Sequence, residues 1–225
     1  MDNQEPTEPK QPSFWWHRIE LPDGSLTPGN VFHGPDGGDW PTTRFGMPKD
    51  MSGYRCIDIG AWDGFFSFEA EKRGAEFVLA TDLLQEPGGN KREGLGFHYA
   101  KYKLNSKINL EELNIENTNA VLELANKHNF NFCMCYGILY HLKSPLKAME
   151  NLFSLIPSGG IILVETAISD FHKSVLEYRP GHDNDPTNYF YPTISWLERV
   201  AMEYKAEHFE VIENGGLRAT VKYVK

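Results

Sequence analysis

Two aspartates close apolar, strand-like runs: Asp58 within "CIDIGAWDGFF" (56–66) and Asp82 at the end of "AEFVLATD" (75–82). A carboxylate accepts hydrogen bonds and donates none, so an aspartate ending a second strand suits the paired hydroxyls of a ribose. Gly60 and Gly64 follow Asp58 where a strand turns into a helix, a place at which backbone groups can approach a ligand. A dinucleotide loop would set another glycine against its pyrophosphate, but Trp62 holds that position and Phe65 stands where a third glycine would help. A pyrophosphate fits poorly. A nucleoside without phosphates fits better, and the loop 58–64, with Ala61 in its turn, together with Asp82 points to S-adenosylmethionine.

Methyl transfer from a sulfonium is an in-line displacement in which alignment contributes most of the rate. His141 is the histidine best placed to take a proton from a hydroxyl or amine acceptor; its other reading is a loop residue bonded to backbone. Tyr140 either faces the acceptor and the sulfonium methyl or packs as an aromatic. "PGHDNDP" (180–186) gathers His182, Asp183 and Asp185, but in a Gly/Pro loop these read as a solvated turn, and no metal is assigned. Trp15 and Trp16 either stack on a base or sugar or pin the N-terminal segment to the core.

The elements that must hold these residues follow from periodicity and turn chemistry. Residues 1–12 are polar and proline-rich and read as a disordered tail, 13–53 as an N-terminal flap with a hairpin turned by Pro22-Asp23-Gly24, and 54–225 as the main domain. Strands are expected at 55–60, 75–82, 107–115, 130–139 and 161–168. Helices are expected at 63–73 with Asp63 as N-cap, at 91–104, at 119–129, and from Ser144 (N-cap) and Pro145 up to Pro157. A last helix over 193–206 precedes strands near 208–213 and 217–224, joined by Asn214-Gly215-Gly216. This alternation predicts a doubly wound, mostly parallel, seven-stranded Rossmann-like α/β sheet with an antiparallel C-terminal edge hairpin. The stretch 178–192 lies at the carboxyl ends of those strands and reads as a lid, with Asn188, Tyr189 and Tyr191 touching the acceptor.

At 225 residues, 40% hydrophobic and 24% charged, the composition is that of a globular chain with a sizeable core. No apolar run approaches the roughly 20 residues of a membrane span and no secretory signal pattern opens the chain, so a cytoplasmic protein with no membrane partner is expected. The net charge of -9, from 31 acidic against 22 basic residues, disfavours nucleic acid as a partner, while a local basic patch keeps tRNA open. Cys56, Cys133 and Cys135 read as reduced, packed thiols, because a zinc site would need further ligands.

With "DIGAWDG" (58–64) and "ATD" (80–82) in place, residues 54–225 resemble the class I S-adenosylmethionine-dependent methyltransferases. "GILYHLKSPL" (137–146) and "DPTNYFYP" (185–192) further resemble the tRNA wobble-uridine carboxymethyltransferase branch and its small relatives. The resemblance implies that Gly60 lies under the methionine portion and Asp82 on the ribose. It places Leu83 and Leu84 beside the adenine, Ile115 and Glu116 at its ring and amino group, Tyr136 and Gly137 on the other side, and Tyr140 facing the transferring group. Trp40 and Arg44 loosely resemble a Trp/Lys pair of that branch, and Arg218 resembles a C-terminal arginine. No counterpart is evident for the lysine that holds the carboxylate of a carboxylated cofactor. Plain methyl transfer to a small-molecule or sugar-like acceptor is therefore expected, with a tRNA-modifying transferase as the alternative.

Overall fold

The structure is a computed structural model that describes residues 8–33, 41–84 and 94–225. Its main sheet contains β1 (Arg55–Ile59), β2 (Phe77–Asp82), β3 (Asn109–Glu112), β4 (Phe132–Tyr136), β5 (Ile161–Ala167), β6 (His208–Asn214) and β7 (Arg218–Val224). The spatial order is β6-β7-β5-β4-β1-β2-β3. Only β7 runs antiparallel to its neighbours; the other pairs are parallel. This is the doubly wound sheet with an antiparallel edge that the alternation of elements predicts.

The central strands are apolar on both faces because helices cover both. Successive side chains of a strand point to opposite sides, and β1 and β4 divide accordingly. Ile57, Ile59, Cys133 and Cys135 join one core with α3 (Thr118–His128), α4 (Pro145–Leu155) and α5 (Ile194–Glu203). Cys56, Phe132, Met134 and Tyr136 join the other, with α1 (Phe65–Lys72) and α2 (Leu95–Leu104). All three cysteines are free and buried. Burial pushes the Cys56 thiol up to about 12, so it stays an inert small hydrophobe.

Local chemistry accounts for most helix ends. Asn117 and Thr193 cap α3 and α5 by accepting from Ala120 N and Trp196 N, and Pro145 occupies the first position of α4. One expected cap holds in position only and one is corrected. The Ser144 side chain makes no capping bond; its backbone N–H donates to Glu116 Oε1 instead. Gly64, in the left-handed region at φ 86, precedes α1, and Asp63 turns away from the helix. The Asp63 carboxylate accepts from Trp16 N (2.9 Å) and His17 N (2.8 Å) and meets His17 Nδ1.

Residues 13–53, expected as a flap, place Trp15, Ile19, Phe45, Met47 and Met51 in the same core as α1 and α2. Trp15 is 2% exposed and edge-on to Tyr99, so it pins the segment, whereas Trp16 is 47% exposed. The expected hairpin is realised only at its tip. Gly24 N and Leu21 N close the turn on Leu21 O and Ser25 O, and Glu20 bridges Leu26 antiparallel. Beyond it, His17–Arg18 pairs in parallel with Val31–Phe32. Thr27 is the reason: its hydroxyl donates to His17 O and accepts from Ile19 N, replacing ladder bonds before the chain crosses over.

Removing the Asp63 carboxylate leaves three buried donors without their acceptor. Asp63→Ala is expected to cost about 2–4 kcal/mol, read as a lower urea midpoint, and to open Arg18 to trypsin. An unchanged midpoint with unchanged cleavage would show that the anchor is dispensable.

Candidate functional site

The strand order reverses between β1 and β4, and open α/β sheets bind ligands outside the carboxyl ends of the strands at that switch. There the end of β2 fixes the loop after β1. Thr81 O accepts from Gly60 N (2.8 Å) and Ala61 N (2.9 Å), and Asp82 Oδ2 accepts from Trp62 N (2.7 Å). For its N–H to reach Asp82, Trp62 adopts φ 53, a conformation that costs a non-glycine residue about 1–2 kcal/mol. Trp62 therefore serves the loop through its backbone, while its half-buried ring stands edge-on to Phe14. Gly60, at φ 71, has Ile138 packed where a Cβ would project, so the turn after β4 lies directly on the loop.

Asp82 is 7% exposed, and its Oδ1 accepts from Leu83 N (2.7 Å). Each oxygen thus takes one backbone donor and keeps a lone pair for a further one, which fits a vicinal diol. Burial pushes its carboxyl up to about 6, with the Trp62 and Leu83 amides acting against burial and Glu112 adding to it. Asp82 is therefore ionised at neutral pH. Asp58, 2% exposed, is also pushed up to about 6 by burial, opposed by the Ser67 hydroxyl bonded to it at 2.6 Å and by His17.

Half-buried Leu83 and Leu84 follow β2, and Leu84 N donates to Glu112 Oε2 (2.7 Å). Ile115 is buried beyond β3, and Glu116 links that end to the start of α4 through Ser144 N. Tyr136 lies between Phe45 and Phe66 with its hydroxyl donated to Phe45 O (3.0 Å), on the face of the α1–α2 core. Arg44 packs against Gly215 in the β6–β7 turn. Trp40 lies outside the described residues.

The turn after β4 carries Gly137, Tyr140 and His141. Arg218 places its guanidinium 4.8 Å over the Tyr140 ring. Glu165 holds it there bidentately, Nε to Oε1 at 2.6 Å and Nη2 to Oε2 at 2.8 Å. Burial opposes the Arg218 charge, and the Glu165 bonds more than offset that, raising its affinity for the proton. Burial also raises the Tyr140 hydroxyl, with Arg218 pulling it partly back. Glu165, 1% exposed, was not singled out from the sequence; the readable signal was one acid inside the apolar run 161–168, with an arginine in the returning strand two residues from its partner Thr220.

His141 Nδ1 lies 3.0 Å from Thr187 Oγ1 and 3.1 Å from Thr187 O. Burial lowers its pKa below the usual 6.5, with Thr187 and Asp185 acting in the opposite sense. The segment 178–192 folds back on itself, with Leu176–Tyr178 antiparallel to Phe190–Pro192 and Gly181 N bonded to Asn188 O. It docks on the turn after β4 through Tyr189 N to Tyr140 O (2.9 Å), while Lys143 approaches the Tyr189 ring. Asn188 Nδ2 donates to His182 O. Asn188 Oδ1 and Tyr191 Oη are buried and have no hydrogen-bond partner among the described residues. Among the described residues no cluster of three or more His, Cys, Asp or Glu is arranged to hold a metal ion.

Residues 40–219 match the Methyltransf_23 family, described as a methyltransferase domain. The chain belongs to the class I S-adenosylmethionine-dependent methyltransferases. The tRNA U34 carboxymethyltransferase of Campylobacter hominis is 29% identical over 164 residues, covering 72% of this chain and 54% of that protein. The enzyme of the same name from Helicobacter pylori (strain Shi470) is 27% identical over 160 residues, covering 69% and 57%. The chain thus spans about half the length of these relatives. An S-adenosylmethionine-dependent methyltransferase from Mesorhizobium loti shares the fold at TM-score 0.57 and 15% identity, over 85% of this chain and 100% of that one. The N-terminal domain of EvdMO1 with SAH bound superposes at TM-score 0.63 and 16% identity, over 93% and 90%.

S-adenosylmethionine is the cofactor of the family, and the unused lone pairs of Asp82 suit its ribose. Asp82→Ala is expected to weaken adenosylhomocysteine binding by about 1.5–3 kcal/mol in calorimetry, and undiminished affinity would remove Asp82 from the site. The raised carboxyls also set a pH dependence. Asp58 and Asp82 titrate near 6 folded against 3.8 ordinarily, so the folded state binds more protons between those values. Their contribution to unfolding free energy therefore grows as pH falls from 7 toward 4, while ribose binding weakens as Asp82 protonates. Asp82→Asn should flatten that part of the stability profile in urea titrations, and an identical profile would refute the assignment.

Proposed function

We propose that the chain transfers the sulfonium methyl of S-adenosylmethionine to a hydroxyl or amine of a small, hydroxyl-rich acceptor such as a sugar. The observation that carries this reading is the pair of buried, unpartnered polar atoms beside the catalytic turn, Asn188 Oδ1 and Tyr191 Oη. Leaving such an atom unbonded costs about 1–3 kcal/mol, and a polyhydroxylated molecule offers the missing donors and acceptors. Bound S-adenosylmethionine supplies an electrophilic methyl group. In this reading the protein's own residues do the rest: Asp82 holds the ribose, Tyr140 orients the acceptor, His141 takes its proton, and the docked segment 178–192 excludes water.

Plain methyl is favoured over a carboxylated group because the Arg218 guanidinium already carries Glu165 as its counterion. A second carboxylate would meet a neutral pair rather than a bare cation. The second reading, modification of a tRNA wobble uridine, has support from the names of relatives at 27–29% identity. The net charge of -9 speaks against it, since a phosphate backbone selects basic surfaces.

Adenosylhomocysteine release measured with hexoses, 6-deoxyhexoses and amino sugars, and separately with bulk tRNA, decides between the readings. Turnover confined to tRNA would end the small-acceptor proposal. For the sugar that reacts, Asn188→Ala and Tyr191→Phe should each raise acceptor KM about tenfold without changing adenosylhomocysteine affinity. Tyr191→Phe should also leave the melting temperature of the free protein unchanged or higher, because it removes a hydroxyl with no partner among the described residues. A lower melting temperature would mean that the hydroxyl is satisfied internally.

A further inference from the structure

The hydrogen bonds around His141 determine which ring nitrogen carries its proton. Thr187 O can only accept, so the Nδ1 that lies 3.1 Å from it must donate. Thr187 Oγ1, 3.0 Å from the same nitrogen, spends its single proton on Asp185 Oδ1 at 2.6 Å and thus also accepts from His141. The same Asp185 oxygen takes Thr187 N at 2.8 Å, which fixes the threonine between aspartate and histidine. Although burial disfavours the Asp185 charge, the Thr187 bonds outweigh it and hold the carboxyl below its ordinary value, so it is an acceptor at neutral pH. Among the described residues His141 Nε2 has no hydrogen-bond partner.

We propose that Asp185 and Thr187 are positioning residues that lock His141 in the Nδ1–H form and leave Nε2 as a free lone pair for the acceptor's proton. This rests on the reading of His141 as the base and deepens it. The bond to backbone, which by itself suggests a structural role for the histidine, is here what selects the basic tautomer. The chain makes this possible by docking: Tyr189 N to Tyr140 O lays residues 185–189 across the turn that carries His141. The charged and titratable groups facing the imidazole are Asp185 from this segment, Arg218 from β7 and Tyr140 on its own turn. Asp185 and the backbone carbonyl of Thr187 support the protonated form and Arg218 opposes it. Loss of the Asp185 charge therefore moves the histidine further down in pH, and loss of the Thr187 hydroxyl releases the carbonyl from the tie to Asp185 that holds it on Nδ1.

Long-range proton–nitrogen spectra of ¹⁵N-histidine protein saturated with adenosylhomocysteine test the proposal without any acceptor. Comparison with His141→Gln assigns the His141 signals. The wild type should show Nδ1 protonated and Nε2 bare. Thr187→Val keeps the carbonyl but loses the hydroxyl and its tie to Asp185, and should show a mixture of tautomers; Asp185→Asn should show a lower midpoint, and Thr187→Ser the wild-type pattern. An Nε2–H tautomer in the wild type, or a Thr187→Val spectrum like that of the wild type, would overturn it. Unchanged melting and adenosylhomocysteine affinity in the variants exclude misfolding as the cause. With a reacting sugar, Thr187→Val should lower kcat about 10–100-fold at constant acceptor KM, and Thr187→Ser should restore it. If the spectra behave as stated but His141→Gln keeps full kcat, the base reading fails while the tautomer lock stands.

Discussion

Three consecutive backbone amides, those of Gly60, Ala61 and Trp62, all point at the end of one neighbouring strand. Thr81 and Asp82 supply the acceptors, and this converging set of bonds decides the shape of the ligand loop. It explains why a bulky residue sits in a left-handed conformation, since the direction of its N–H matters more than the comfort of its side chain. It also ties the Asp82 carboxylate to that loop. A shift in either displaces the other, so the loop and Asp82 behave as one preorganised unit.

A second unit faces it across the switch between β1 and β4. Glu165 on β5 orients Arg218 on β7, Arg218 lies on the ring of Tyr140, and the segment 185–189 bonds the same turn from above. The turn after β4 is thereby gripped from three elements, and Ile138 within it presses on Gly60. The two units meet at that apolar contact.

The sheet was legible because its central strands are apolar throughout and its helices announce themselves by period and, at α4, by Ser144 and Pro145 at its start. Asp63 misled because an acid before an apolar helical run is chemically a good cap, and nothing local reveals that Trp16 and His17 claim it from afar. Thr27 escaped notice for a similar reason: a hydroxyl that substitutes for ladder bonds leaves no periodic trace. The pair Leu176–Tyr178 and Phe190–Pro192 is three residues per strand, too short for alternation to be read. Asp185 stood in plain view, but its carboxylate reads as solvated turn until the threonine two residues on is seen to relay it to a histidine.

The grip of Asp63 on the N-terminal segment has a consequence for the order of folding. Trp16 and His17 find their acceptor 47 and 46 residues downstream, past the first strand of the sheet. That strand in turn pairs with Phe132, 76 residues beyond Cys56, before its second edge is covered. Contacts of such separation require long loops to close and form slowly. On a ribosome the opening residues emerge first, yet they must wait for β1, its loop and α1 to exist before Trp15 has a surface to bury against. The part of this chain that is made first is among the last to settle.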